Sequence, residues 1–320
     1  MITKFWDKLA EGMAGKWTAQ NLGSSLVFWV AGLMAWSWHK GWERVTPLLT
    51  IEKVTLEFIT LAFGGLIVLA VSATLADWLT LPIIRVTEGY WRGPFRRLRF
   101  ALARRKARHI ETNNSRWEEL ANISQRTTLE DDEYARLDAQ LSRYPADTGD
   151  GKDSKNSGDI MPTMLGNLLR GAECYPAERY GMEITVCWPR LWLLLPKEVQ
   201  EELSVARNNL NEAAQMMLWG ALLIIWSVWA WPAVLAAAAM SFVAYNRACV
   251  SAGIYGDLLR AAFDLNRFRL YEALRLPLPS NPVEEMECGQ KLTVYLLRGA
   301  GLETVRYSAD RQARSEVTTM

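Results

Sequence analysis

Hydrophobic positions along the chain gather into four runs set apart by charged residues. LGSSLVFWVAGLMAWSW, residues 22–38, is uncharged and flanked by polar positions; FITLAFGGLIVLAVSATLADWLTL, residues 58–81, holds one acid near its end. A membrane crossing needs ~20 mainly apolar residues to cover ~30 Å of hydrocarbon. The apolar stretch from Ala213 to Val250 is too long for one crossing and suits two, with Pro232 near its centre where a hairpin would turn. The pattern predicts spans near 22–38, 58–81, 214–231 and 233–250. The expected fold class is all-α: a polytopic membrane protein with four transmembrane helices as two hairpins and a helical cytoplasmic region.

Between and beyond the spans the pattern becomes amphipathic. FRRLRFALARRKARHI is a basic helix with Phe95, Leu98 and Leu102 at helical spacing. In TTLEDDEYARLDAQLSRYP, Thr127 and Glu130 match a capping box and Pro145 follows the end. Residues 146–159, rich in Gly, Ser, Asp and Lys, read as a flexible loop. Met164, Leu165, Leu168, Leu169 and Ala172 make one helical face, with Pro176 expected to stop it. The next segment, MEITVCWPRLWLLLP, is apolar but far too short to span. Pro189 is expected in the first turn of a short helix ended by Pro196, with Leu191, Trp192, Leu194 and Leu195 buried. Trp188, Pro189, Trp192 and Leu195 are therefore expected to form a joint lying flat under the bilayer.

No proline interrupts residues 197–230, so the third span is expected to continue as one helix from the cytoplasm into the membrane. The fourth is expected to run on toward Pro277. Asn281 as N-cap and Pro282 at the first helical position open a last short helix. Four regions follow: 1–91, an interfacial helix and the first hairpin; 92–196, a helical insert; 197–279, the second hairpin with its extensions; and 280–320, a short helix and mobile tail. At the N-terminus, Phe5, Trp6, Leu9 and Met13 share a side of a short amphipathic helix suited to a membrane surface. Mixed charges and the lack of an apolar core before a cleavage site argue against a secretory signal.

Charge orients this arrangement rather than defining a partner. Lys+Arg 36 balance Asp+Glu 35, but Arg85, Arg92, Arg96, Arg97, Arg99, Arg104, Arg105, Lys106 and Arg108 crowd just after the second run. The positive-inside rule places both termini and the middle region in the cytoplasm. Of the fifteen tryptophans, Trp36, Trp38, Trp42, Trp229 and Trp231 gather at the outer ends of the runs and Trp78, Trp91 and Trp219 at the inner ends, as aromatic belts do. The basic helix is read first as this orienting signal and secondarily as a surface for anionic lipid; nucleic acid is disfavoured.

Little in the sequence supports chemistry. Two histidines and four scattered cysteines give no usual zinc spacing, and nucleotide-loop and nucleophile-elbow motifs are absent. No enzyme activity, cofactor or metal is expected. Ionisable residues within spans are costly unless paired, which singles out Asp77 and Arg247, at matching depths of the second and fourth spans, as a candidate intramembrane pair. Arg170, Glu173, Arg179, Arg190, Asp257, Arg260 and Asp264 are expected to form a cytoplasmic charge network.

The blocks MLGNLLRGAECYPAERYGMEITVCWPRLWLLLP and IYGDLLRAAFDLNRFRLYEALRLPLP resemble a family of uncharacterised bacterial multi-pass membrane proteins. That family pairs an LGNxLRxAE, YP, RYG and WPRL block with an AFDLxRxxLxxALxLPxP block. The resemblance covers roughly residues 164–279 and implies hairpin topology without an activity. The two-plus-two arrangement with a large insert also resembles bestrophin-type anion channels. The expected function is an oligomeric channel or pore with a cytoplasmic vestibule. The alternative is a non-conducting scaffold or effector subunit, as in antiviral defence. Expected partners are the lipid bilayer, further copies of the chain and a cytoplasmic protein.

Overall fold

The computed structural model describes residues 19–41, 56–145 and 160–300. The expected surface helix at the N-terminus, the 146–159 loop and the tail beyond residue 300 lie outside the described residues. Among those described, the chain forms α-helices and short 3-10 turns and no strand. The helices are α1 (Ala19–Lys40), α2 (Leu56–Glu88), α3 (Arg96–Ala121), α4 (Thr128–Leu141), α5 (Met164–Tyr180), α6 (Ile184–Leu194), α7 (Lys197–Leu222), α8 (Pro232–Asn266), α9 (Phe268–Ala273) and α10 (Pro282–Arg298). They divide into two compact units, 1–86 with 208–248 and 87–207 with 249–320, and the division falls within α2, α7 and α8.

In the first unit, four helical segments close around aromatic rings. Phe28 of α1 lies 5.1 Å from the Trp219 ring and 5.0 Å from that of Trp226, and Ala76, Leu223 and Ala237 complete the buried cluster. Gly32 permits this packing, because a Cβ there would sit 2.5 Å from the Trp226 ring. The outward positions are also apolar: Leu33 is 65 % exposed, Phe63 66 % and Phe242 69 %. Two helical stretches hold a window long and apolar enough to cross a membrane, one within Phe63–Ala121 and the other in Pro232–Asn266.

The third expected span departs from the prediction. Its α-helix ends at Leu222, and Leu223–Val228 tighten into a 3-10 turn before α8 begins at Pro232. Ile224, Ile225 and Val228 lose rotamer freedom against a preceding helical turn, and a 3-10 turn is a common way to end an α-helix. The reversal falls where Pro232 implied, with Gly220 facing Ser241 across it.

The second unit is built by explicit end signals. The Thr127 hydroxyl accepts from Glu130 N at 3.4 Å, and the Glu130 carboxylate accepts from Thr127 N at 2.8 Å, completing the expected capping box. Asn281 caps α10 by accepting from Glu284 N at 2.9 Å. Helix α5 runs past Pro176, where its stop was expected, to Tyr180. Pro176 removes one helical hydrogen bond and crowds the carbonyl four residues back, yet the helix continues for one more turn; Gly181, at φ 69°, supplies the left-handed residue that ends it.

Pro189 likewise lies inside α6, at its sixth position, and not in the first turn. That segment is core rather than surface. Leu191 and Cys187 are fully buried and Leu195 nearly so, while Trp188, Trp192 and Leu194 pack partly buried against the same cluster of α5, α8, α9 and α10 residues. Of the segment's leucines and tryptophans, only Leu193 is exposed, at 80 %.

Candidate functional site

Polar side chains of the second unit converge on Asp264 of α8. Tyr175 and Tyr180, both on α5, donate their hydroxyls to its carboxylate at 3.0 and 2.6 Å. Asp264 is followed one turn later by Arg267, whose guanidinium lies 4.3 Å from the Tyr180 ring. Arg267 donates to Glu285 of α10 at 2.5 Å, in a pair with side chains only 16 % and 9 % exposed, and donates again to the Asp264 carbonyl. One turn earlier, Arg260 lies over the Tyr175 ring at 5.6 Å, approaches Asp257 at 3.5 Å and donates to the Arg143 carbonyl at 3.1 Å. Arg143 donates to Asp257 at 2.9 Å.

Burial, reinforced by the bond to Asp264, pushes the Tyr180 hydroxyl well above its ordinary value, so it stays a proton donor. Burial lowers Arg260, with Asp257 acting in the opposite sense. Cys187 is pushed up by burial, which keeps its thiol protonated and unreactive. Among the described residues no three His, Cys, Asp or Glu side chains gather as metal ligands.

Beside this cluster, α5, α6, α7 and α8 enclose a cavity of about 250 Å³. Glu88, Glu173 and Arg207 face it, as do Thr185, Trp188 and Pro189. Arg207 stacks over Tyr255 at 5.6 Å, and burial raises the Tyr255 hydroxyl. Pro189 has no N–H to return to the Thr185 carbonyl one turn earlier, and both residues line this space.

Of the expected charge network, Asp257, Arg260, Asp264 and Arg179 come together, Arg179 lying 5.7 and 5.9 Å from the Tyr175 and Tyr180 rings. Arg170 and Glu173 pair at 3.5 Å. Arg190 instead donates to the Val186 carbonyl at 2.6 Å and the Leu296 carbonyl at 3.3 Å, fastening α6 to α10. In the first unit Asp77 and Arg247 bond different residues of α7. Gln215 donates to Asp77 at 2.6 Å, and Arg247 donates to Glu212 at 3.2 Å. The expected direct pair gives way to two bonds one turn apart on α7, because that helix supplies polar partners to both neighbours.

Sequence reasoning missed Tyr175, Tyr180, Tyr255, Arg143 and Arg207. Two of these tyrosines stand in the quoted YP and RYG motifs, which was the available signal. Glu285, in the first turn of α10, is a buried ion-pair partner. No protein-family model matches the chain, and no curated protein or solved structure matches it either.

Proposed function

We propose that the protein is a membrane-anchored helical scaffold that holds a rigid, charge-locked domain at the cytoplasmic face of a bacterial inner membrane for a protein partner. One observation carries the reading: α1 is apolar on its exposed side. Leu26, Val27, Leu33 and Met34 face outward, while Ser25 and Ser37 are buried beside Phe28 and Ala35. Thr80 and Gln215 are buried in the same unit and bond one another at 3.3 Å. Polar groups turned inward and satisfied, with aliphatic groups outward, suit a lipid solvent. Four spans as two hairpins with both termini inside agree with the basic residues after the second run.

The aromatic closure of the first unit favours anchoring over conduction through a single copy, since Phe28, Trp219 and Trp226 fill the space among the helices. A channel between copies is the second reading, favoured by the polar level formed by Asp77, Gln215, Glu212 and Arg247. Alkaline extraction with cysteine-accessibility mapping tests the anchor. The scaffold requires retention in the membrane, with labelling at residues 41 and 230 only from outside. Extraction into the soluble fraction defeats it. Planar-bilayer recording of the purified protein separates the readings, as steady conductance would select the channel.

A further inference from the structure

We infer that a second cavity, about 640 Å³ between α3, α4, α5 and α8, binds an anionic phospholipid through its phosphate. Its volume lies within the about 300–1,000 Å³ typical of small-ligand sites. Lys106, Arg136 and Arg143 line it together with Leu168, Val250 and Ile254, and no carboxylate is among the lining residues. Arg143 is held by Asp257 at 2.9 Å. Lys106 sits 5.6 Å from the Tyr144 ring, and among the described residues neither it nor Arg136 forms an ion pair.

Lys106 and Arg136, lining one cavity without an ion-pair partner of their own, repel one another, and a phosphate ester relieves that repulsion with charge-assisted hydrogen bonds. A free phosphate would satisfy the cations but leave the apolar wall idle; an acyl chain uses both. The α8 wall, residues 249–254, directly follows the stretch proposed to cross the bilayer, so the inference rests on the membrane reading. At ~1.5 Å per residue, that wall begins within the head-group layer if the span ends near residue 250.

Native mass spectrometry of the full chain in detergent tests the site. Phosphatidylglycerol, phosphatidylcholine with the same chains, and glycerol 3-phosphate are titrated separately. Phosphatidylglycerol should bind in preference to phosphatidylcholine. The double variant Lys106→Gln/Arg136→Gln should weaken that binding about tenfold, with phosphatidylcholine unchanged. Gly253→Leu provides a charge-neutral control: a Cβ there meets only the Arg143 guanidinium, at 3.8 Å, so the side chain enters open space. It should also lower phosphatidylglycerol binding. Equal binding of the two lipids, or unchanged phosphatidylglycerol binding in both variants, overturns the inference. Glycerol 3-phosphate binding as tightly as the lipid overturns it in favour of a soluble phosphate ester. Alkaline extraction of wild-type membranes is read independently. Soluble wild-type protein defeats the anchor, whereas a retained protein without lipid preference defeats only the site.

Discussion

The Arg267–Glu285 pair shows how single residues hold the second unit. Both side chains are largely buried, and Arg267 also covers the Tyr180 ring. Removing one partner strands a charge, so Glu285→Ala should cost about 3–5 kcal/mol, while Arg267→Met/Glu285→Leu should recover most of that loss. Thermal melting of the single and double variants measures the difference. Tyr180→Phe removes one of the two tyrosine donors to Asp264. A loss of about 1–3 kcal/mol is expected, because a carboxylate acceptor is left short of a partner. The same experiment on Arg190→Gln should show a smaller effect, since both of its acceptors are neutral carbonyls and no charge is stranded.

At the scale of elements, α6 reads as membrane by composition and is core by contact. Leu191→Ala should cost about 2–5 kcal/mol, and Leu193→Ala, at an 80 % exposed position two residues on, close to nothing. Chemical denaturation of the two variants checks this. Helix packing against α5 also requires glycine at 289, where a Cβ would lie 1.8 Å from the Tyr180 carbonyl oxygen. Gly289→Ala should unfold the α5–α10 contact. Gly299→Ala meets nothing within 4 Å and suffers only the strain of φ 71°, about 1 kcal/mol.

The start of α4 has a pH signature. The Thr127 amide holds the exposed Glu130 carboxyl below its ordinary value. Because the folded value is depressed, the cap is fully present at neutral pH and is lost as pH falls through that lowered value. Glu130→Gln should flatten the acid side of a circular-dichroism titration.

At the scale of the molecule, the apolar exterior of the first unit governs behaviour. Leu33→Lys and Phe63→Lys place charge on outward positions without touching the aromatic cluster. Under the anchor reading both should lower membrane retention, with a penalty of about 2.5–3.5 kcal/mol near the middle of a span. Unchanged retention would place those faces outside the lipid. Gln215→Leu should instead weaken the first unit from within, because it strips Asp77 and Thr80 of a donor.

Local end signals and hydrophobic runs were legible in the sequence because each depends on nearby residues. Thr127 with Glu130, Asn281 with Pro282, and the turn before Pro232 all act over a few positions. The two long apolar helices were legible for the same reason, since runs of that length need no knowledge of their neighbours. Tertiary structure decided the rest. Which tyrosines would meet Asp264, or which acid would meet Arg267, depends on helices brought together across 84 to 89 and 18 positions. The same is true of MEITVCWPRLWLLLP: composition made it an almost-span, and only the helices around Leu191 made it core. Asp77 and Arg247 stood out in the sequence as charges within apolar runs, but their partners came from α7, whose polar face at Glu212 and Gln215 acquires meaning only once α2 and α8 lie beside it. Apolar length is a property of the chain, whereas partner choice is a property of packing.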